Sequence, residues 1–223
     1  MDTTISATFA HLLDAAGGDF DTQLSSFFEP DERLTFEVRL PEGADGAPPG
    51  MFIYISPKPG AAVPPGWGRV LDQHNLAWAG ALDSGNEVHV ARRIGLALLA
   101  QSLVGRAGPI DTGRVYLGGF SGGGRVASMM IPMYPDRFAG ALFICGANPL
   151  MGASADTVEA IRAMPLVFLT GTGDFNLEDT RFALATFQHA GFTRAELLLI
   201  DGLDHELPDD DGLMTALEAL SHT

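Results

Sequence analysis

The sequence predicts an α/β fold, a mostly parallel central sheet with helices on both faces. Three observations predict it. Short apolar runs of strand length recur from residue 33 onward. Stretches with helical spacing separate them, and Gly- and Pro-rich turns punctuate the two. Such alternation buries each strand beneath the helices that connect it to the next.

The first run, residues 34–40 (LTFEVRL), alternates apolar and polar as a half-buried strand does. Residues 51–56 (MFIYIS) and 76–82 (LAWAGAL) are compact apolar runs, as in fully buried strands. A Pro/Gly loop, 41–50, joins the first two strands without a helix, so antiparallel pairing between them is expected. A second such stretch, 57–68, follows a strand and precedes a helix. Residues 87–104 read as a long helix with Val90, Ile94, Ala97, Leu98 and Leu103 on its apolar side, and Asn86 is the expected cap. Strands follow at 114–120, 140–146, 166–171 and 195–201. Helices follow at 122–133, 156–164, 177–190 and 212–221. Ser154 or Asp156 caps the second of these, and Gly191 ends the third.

The chain has 223 residues, which suits one α/β domain, with residues 1–30 as an N-terminal extension packed on it. Phe20, Phe27 and Phe28 make that extension aromatic, and packing on the core is their expected role. Hydrophobic residues make up 46%, enough for a packed interior, which excludes a disordered chain. No apolar run reaches the roughly 18 residues of a membrane helix. The first 21 residues carry no Lys or Arg and make a poor secretory signal. The single cysteine, Cys145, ends an apolar run and reads as a small buried hydrophobe. It fits a reducing compartment, and a cytoplasmic location is the expectation. Thirteen basic against 28 acidic residues give a formal charge of −15, which disfavours nucleic acid and anionic membranes as partners. No His, Asp or Glu pairs stand at metal-ligand spacing, so neither a metal nor a cofactor is implied. A homo-oligomer stays open.

Function in such a sheet lies at the C-terminal ends of the strands. The strand at 114–120 runs into Gly119-Phe120-Ser121-Gly122-Gly123, a G-x-S-x-G string between a strand and a helix. That context makes it a nucleophile elbow, in which a sharp turn presents the serine at a helix N-terminus. A phosphate loop would need Lys-Ser/Thr after the glycines, where Arg125-Val126 stands. A serine hydroxyl is a weak nucleophile and needs a base. Of six histidines, His205 alone lies downstream and just beyond a strand, in LLLIDGLDHELP. His11 precedes the core, His74 and His89 precede the elbow, His189 ends a helix and His222 lies in the tail. A third group must orient the imidazole. Asp174 stands three residues past the strand at 166–171, with Glu178, Asp179 and Asp204 as alternatives. For the oxyanion, the N–H of Gly122 is one expected donor. The second is expected after the strand at 51–56, where Pro57 and Pro59 lack an N–H and Ser56, Lys58 and Gly60 have one. Lys58 is favoured.

With these residues placed, the chain resembles the α/β-hydrolase superfamily over nearly its whole length. Asp111-x-x-Arg114-Val115-Tyr116-Leu117-x-Gly119-Phe120-Ser121-Gly122-Gly123 looks like the esterase, polyhydroxybutyrate depolymerase and prolyl-oligopeptidase-like branch. Tyr134-Pro135-Asp136-x-Phe138-x-Gly140 fits the same branch. The resemblance implies an α/β-hydrolase fold with Ser121, Asp174 and His205 as the triad. It implies hydrolysis of a small-molecule carboxylic ester of small to medium size. Amide or thioester hydrolysis, or a non-enzymatic binding scaffold, are the alternatives. The chain departs from the branch after the strand at 51–56, where Ser56-Pro57-Lys58 replaces a His-Gly motif. Residues 145–156 leave room for a loop and none for a sizeable lid domain, so an open, shallow site is expected. Residues 82–86 follow a strand and read as an ordinary turn, with lining of the pocket as the alternative.

Overall fold

The computed structural model describes residues 2–17, 20, 22–42 and 46–221. The backbone gathers into two compact units, Met1–Arg114 and Val115–Thr223. Among the described residues, no helix is long and apolar enough to cross a membrane.

Met1–Arg114 contains strands β1 (Asp2–Thr8), β2 (Arg33–Arg39), β3 (Gly50–Ile55) and β4 (Leu76–Ala81), and helices α1 (Phe9–Ala15), α2 (Thr22–Ser25), α3 (Trp67–Gln73) and α4 (Val90–Ala107). The strands lie in the order β1-β2-β4-β3. The expected antiparallel pairing of the first two core strands does not form. β2 pairs antiparallel with β1 and β4, and β3 pairs parallel with β4. The reason lies in the side chains. β3 is apolar and buried at all six positions, which suits a parallel β3-α3-β4 crossover. β2 alternates, which suits antiparallel neighbours on both sides. Its outer neighbour β1 (DTTISAT) has one large apolar residue and gave no strand signal.

Trp78 centres this unit. It stacks on Tyr54 at 4.6 Å and Phe52 at 5.7 Å, meets Trp67 edge-on, and donates its indole N–H to Ala61 O at 2.9 Å. A second cluster joins Phe9, Phe20 and Phe28 against α4, while Phe27 lies outside it on His89. α4 begins later than the spacing suggests, at Val90, and its cap is His89, whose Nδ1 accepts from Ala91 N. Asn86 is not the cap; its N–H donates to Pro57 O at 3.0 Å. Buried Arg93 donates to Ser84 O and Ser56 O, tying together the loops that follow β4 and β3.

Val115–Thr223 contains β5 (Val115–Phe120), α5 (Gly122–Met133), β6 (Gly140–Ile144), α6 (Ala155–Ile161), β7 (Leu166–Gly171), α7 (Leu177–Ala190), β8 (Ala195–Ile200) and α8 (Asp210–Ser221). Its strands run β5-β6-β7-β8, every pairing parallel. Ser154 caps α6 and left-handed Gly191 ends α7, as the sequence suggests. No lid domain intervenes between β6 and α6.

Two loops at the strand ends are pressed together. Gly173 N donates to Leu203 O and Thr172 N to Ile200 O, each at 3.0 Å. A Cβ on Gly171 would stand 1.8 Å from Leu203 O, and one on Gly173 2.2 Å from Asp204 Oδ1. Gly171→Ala is therefore expected to force the loop after β8 away from β7. The cost is at least that of an overpacked core, about 1–3 kcal/mol. Thermal unfolding measures it, and a wild-type melting temperature in this variant would contradict the packing described.

Candidate active site

Ser121 stands at the turn from β5 into α5 with φ 54° and ψ −119°. A non-glycine residue resists that backbone at a cost of about 1–3 kcal/mol, so the surroundings must hold it. Its N–H donates to Ile144 O at 2.8 Å, which ties the turn to the end of β6. Its C=O accepts from Arg125 N and opens the helix. The glycines around it are sites of backbone contact. A Cβ on Gly119 would meet Gly123 C at 2.4 Å, one on Gly124 would meet Gly146 O at 2.2 Å, and one on Gly146 would meet Ser121 O at 2.5 Å. Serine at a helix start ordinarily caps it. Here the turn swings the hydroxyl away, and it makes no cap bond.

That hydroxyl meets His205 instead. Ser121 Oγ lies 2.9 Å from His205 Nε2, and His205 Nδ1 lies 2.8 Å from Asp174 Oδ1. All three side chains belong to Val115–Thr223. Asp174 is fully buried at its side chain. Burial pushes its carboxyl upward, but hydrogen bonds from Thr170, Asn176 N–H, His205 and Cys145 together outweigh it and hold the carboxyl below the ordinary range. Ionised Asp174 can only accept, so His205 Nδ1 must carry the proton. Nε2 is then the acceptor, and Ser121 O–H donates to it.

The alternative acids are placed elsewhere. Asp179 pairs with Arg125 and Glu178 with Arg181. Asp204 Oδ1 lies at Gly173. His189 is in the last turn of α7, His74 ends α3, His89 caps α4, and His222 falls outside the described residues. Gly122 is the first residue of α5. Lys58 belongs to Met1–Arg114, and its N–H donates to Ser56 Oγ at 3.0 Å.

Several residues at the site gave no signal on their own in the sequence. Thr170, in the apolar run of β7, donates to Asp174 Oδ2 at 2.6 Å. Asn176 is the tie-point of the site. Its N–H donates to Asp174 Oδ1 at 2.9 Å, its Nδ2 donates to Cys145 O at 2.9 Å, and its Oδ1 accepts from Arg125 Nη2 at 3.2 Å. Arg125 lies one helical turn after Ser121, so the segment bearing the serine is fastened to the segment bearing the aspartate. Its spacing from Ser121, and that of Asn176 from Asp174, were the available clues. Phe120 and Phe175 pack on the His205 ring at 5.0 and 4.1 Å, and Phe175 is 77% exposed.

Cys145 Sγ, a carboxylate oxygen of Asp174 and a ring nitrogen of His205 lie within 4.8 Å of one another. Burial, and then the Asp174 charge, push the thiol up to about 12. The sulfur is therefore a protonated donor, 3.4 Å from Glu206 O. The three groups share one hydrogen-bond network, in which His205 joins the Asp174 carboxylate to Ser121.

No protein-family model matches the sequence, and no curated protein matches it. Solved structures do. An S-formylglutathione hydrolase from Agrobacterium tumefaciens is 17% identical with a TM-score of 0.63, over 99% of this chain and 96% of that one. A ferulic acid esterase is 14% identical with a TM-score of 0.66, over 99% and 96%. FphF, a fluorophosphonate-binding serine hydrolase of Staphylococcus aureus, is 13% identical with a TM-score of 0.64, over 99% of each chain. Likeness at this identity establishes the fold, and the chain has the α/β-hydrolase fold.

The Asp174 shift has a consequence for acid stability. A carboxyl held below its ordinary range stabilises the fold above that range, and the contribution is lost as pH falls through the lowered value. Asp174→Asn removes the titrating group. The gap in melting temperature between wild type and Asp174→Asn is expected to shrink from about pH 7 to about pH 3. A gap constant over that range would contradict the assignment.

Proposed function

We propose that the chain is a serine hydrolase that cleaves carboxylic esters of small to medium size through an acyl-enzyme on Ser121. One observation carries this reading. A single imidazole bridges Ser121 Oγ at 2.9 Å and the Asp174 carboxylate at 2.8 Å. That geometry lets a neutral histidine take the serine proton while a buried negative charge stabilises the imidazolium that forms.

The steps follow from the groups present. Ser121 Oγ bonds to the ester carbonyl carbon as its proton passes to His205 Nε2. The carbonyl electron pair moves onto oxygen, which the N–H of Gly122 at the start of α5 stabilises together with the helix dipole. The carbon–alkoxy bond then breaks, and His205 returns the proton to the departing alcohol. Water, deprotonated by the same nitrogen, attacks the acyl carbon and releases the acid. Lys58 is proposed as the second oxyanion donor, a role that requires its N–H to give up Ser56 Oγ. The exposed ring of Phe175 beside His205 offers an apolar contact for the ester. The chain is proposed to act as one hydrolase domain in the cytoplasm. The fold neighbours include an esterase and serine hydrolases, which supports the reaction class and leaves the substrate open.

Ser121→Ala is expected to lower hydrolysis of short acyl esters on the order of 10^6-fold and to abolish fluorophosphonate labelling, with the fold intact by circular dichroism. Turnover retained in that variant would overturn the proposal, and a panel of esters, thioesters and aryl amides ranks the substrate classes.

Asn176→Ala is expected to reduce kcat about 10- to 100-fold with KM nearly unchanged, because it loosens the tie between serine and aspartate without touching the ester. A pure KM effect would place Asn176 in substrate binding instead.

A further inference from the structure

Cations are scarce in this chain, 13 against 28 carboxylates, and nearly all are engaged. Arg39 grips Asp72 with both terminal nitrogens, at 2.6 and 2.7 Å, and Arg92 grips Glu32 in the same way. Others pair with carboxylates on their own helix or donate to backbone carbonyls. Among the described residues, the side chains of Arg33, Arg106 and Lys58 have no carboxylate or carbonyl partner. Two of these three line the same cavity.

That cavity, in Met1–Arg114, has a volume of about 390 Å³. This falls within the roughly 300–1,000 Å³ of ligand pockets. Arg33 stands directly opposite Thr8 in the β1–β2 ladder, so the two side chains share a face. The last turn of α4 brings Arg106 and the buried side chain of Leu103, and α1 brings His11. Ile5 and Ala7 also border the space, and among the described residues no acidic side chain lines it. Arg106 does sit where a helix favours a cation. A partial dipole charge nevertheless leaves the donors of a guanidinium unmet. Two such groups facing one concavity repel each other, and in a chain of charge −15 a carboxylate of its own would be the easy remedy. None is supplied.

We propose that this cavity binds a small organic oxyanion, a carboxylate or phosphate carried on a compact apolar body. Arg33 and Arg106 meet the oxygens, and Leu103 meets the apolar part. Guanidinium groups suit this task because their planar fork matches a pair of anionic oxygens. The site is independent of the Ser121 chemistry.

Calorimetric titration of the full chain at low salt tests it, with hexanoate, hexyl phosphate and hexanol as probes. The Ser121→Ala background keeps hydrolytic chemistry out of the signal. One or both anions are expected to bind, hexanol is not, and the stronger anion identifies the headgroup. Affinity is expected to fall with added salt. It is also expected to fall about tenfold for each guanidinium removed, by Arg106→Gln alone and by Arg33→Gln with Arg106→Gln. Both side chains are exposed, and should the double variant fail to fold, Arg106→Gln alone gives the answer. The proposal is overturned if neither anion binds, if hexanol binds as well as hexanoate, or if the variants bind as the parent does.

Discussion

The geometry of the site depends on Ser121 being held in a backbone conformation it would not choose. Its φ of 54° points the hydroxyl off the helix and toward His205. The conformation persists because backbone crowds it from several sides at once, through Gly119, Gly124 and Gly146. The neighbouring strand β6 ends in a second left-handed residue, Cys145 with φ 52°. The residues on either side of Cys145 hold the serine turn: Ile144 O accepts from Ser121 N, and Gly146 lies against Ser121 O.

Around this turn the hydrogen bonds form a closed circuit. Asn176 fastens the aspartate loop to β6 and to α5, while Thr170 reaches the same carboxylate from within β7. The imidazole is held by its two polar partners at the edges and by Phe120 and Phe175 on its ring. In the proposed reaction, a histidine so fixed loses little further freedom when the ester arrives, which is the entropic advantage of preorganisation.

Much of this was legible in the chain. Strands β3 to β8 and helices α5 and α7 announce themselves through apolar runs and turn residues, because burial on both faces leaves a strong compositional mark. Ser121, Asp174 and His205 could be located because each follows a strand, in the order Ser, Asp, His. β1 could not, since an outer strand needs few large apolar residues and DTTISAT has only Ile5. The pairing of β2 with β4 was also hidden. Loop length suggested a hairpin, whereas burial on both faces of β3 gave it a parallel partner. Asn176 and Thr170 were invisible for a different reason. Thr170, four residues before Asp174, reads in the sequence as one more position of a buried apolar strand, and the bonds of Asn176 to Cys145 O and Arg125 cross between elements that no local pattern brings together. Asn86 is the stronger capper by type, but α4 begins at Val90, four residues further on, and His89 takes the cap.

Cys145 lies beneath Asp174 with its side chain wholly enclosed and its thiol pushed up to about 12. It is also the only cysteine in the chain. At neutral pH it presents neither a thiolate nor an accessible sulfur, so alkylating reagents have nothing to attack. A cysteine introduced elsewhere on the surface would then be the sole reactive thiol. The native sequence is in that sense already prepared for site-selective spin labels or fluorophores, without first replacing a residue that touches the Asp174 carboxylate.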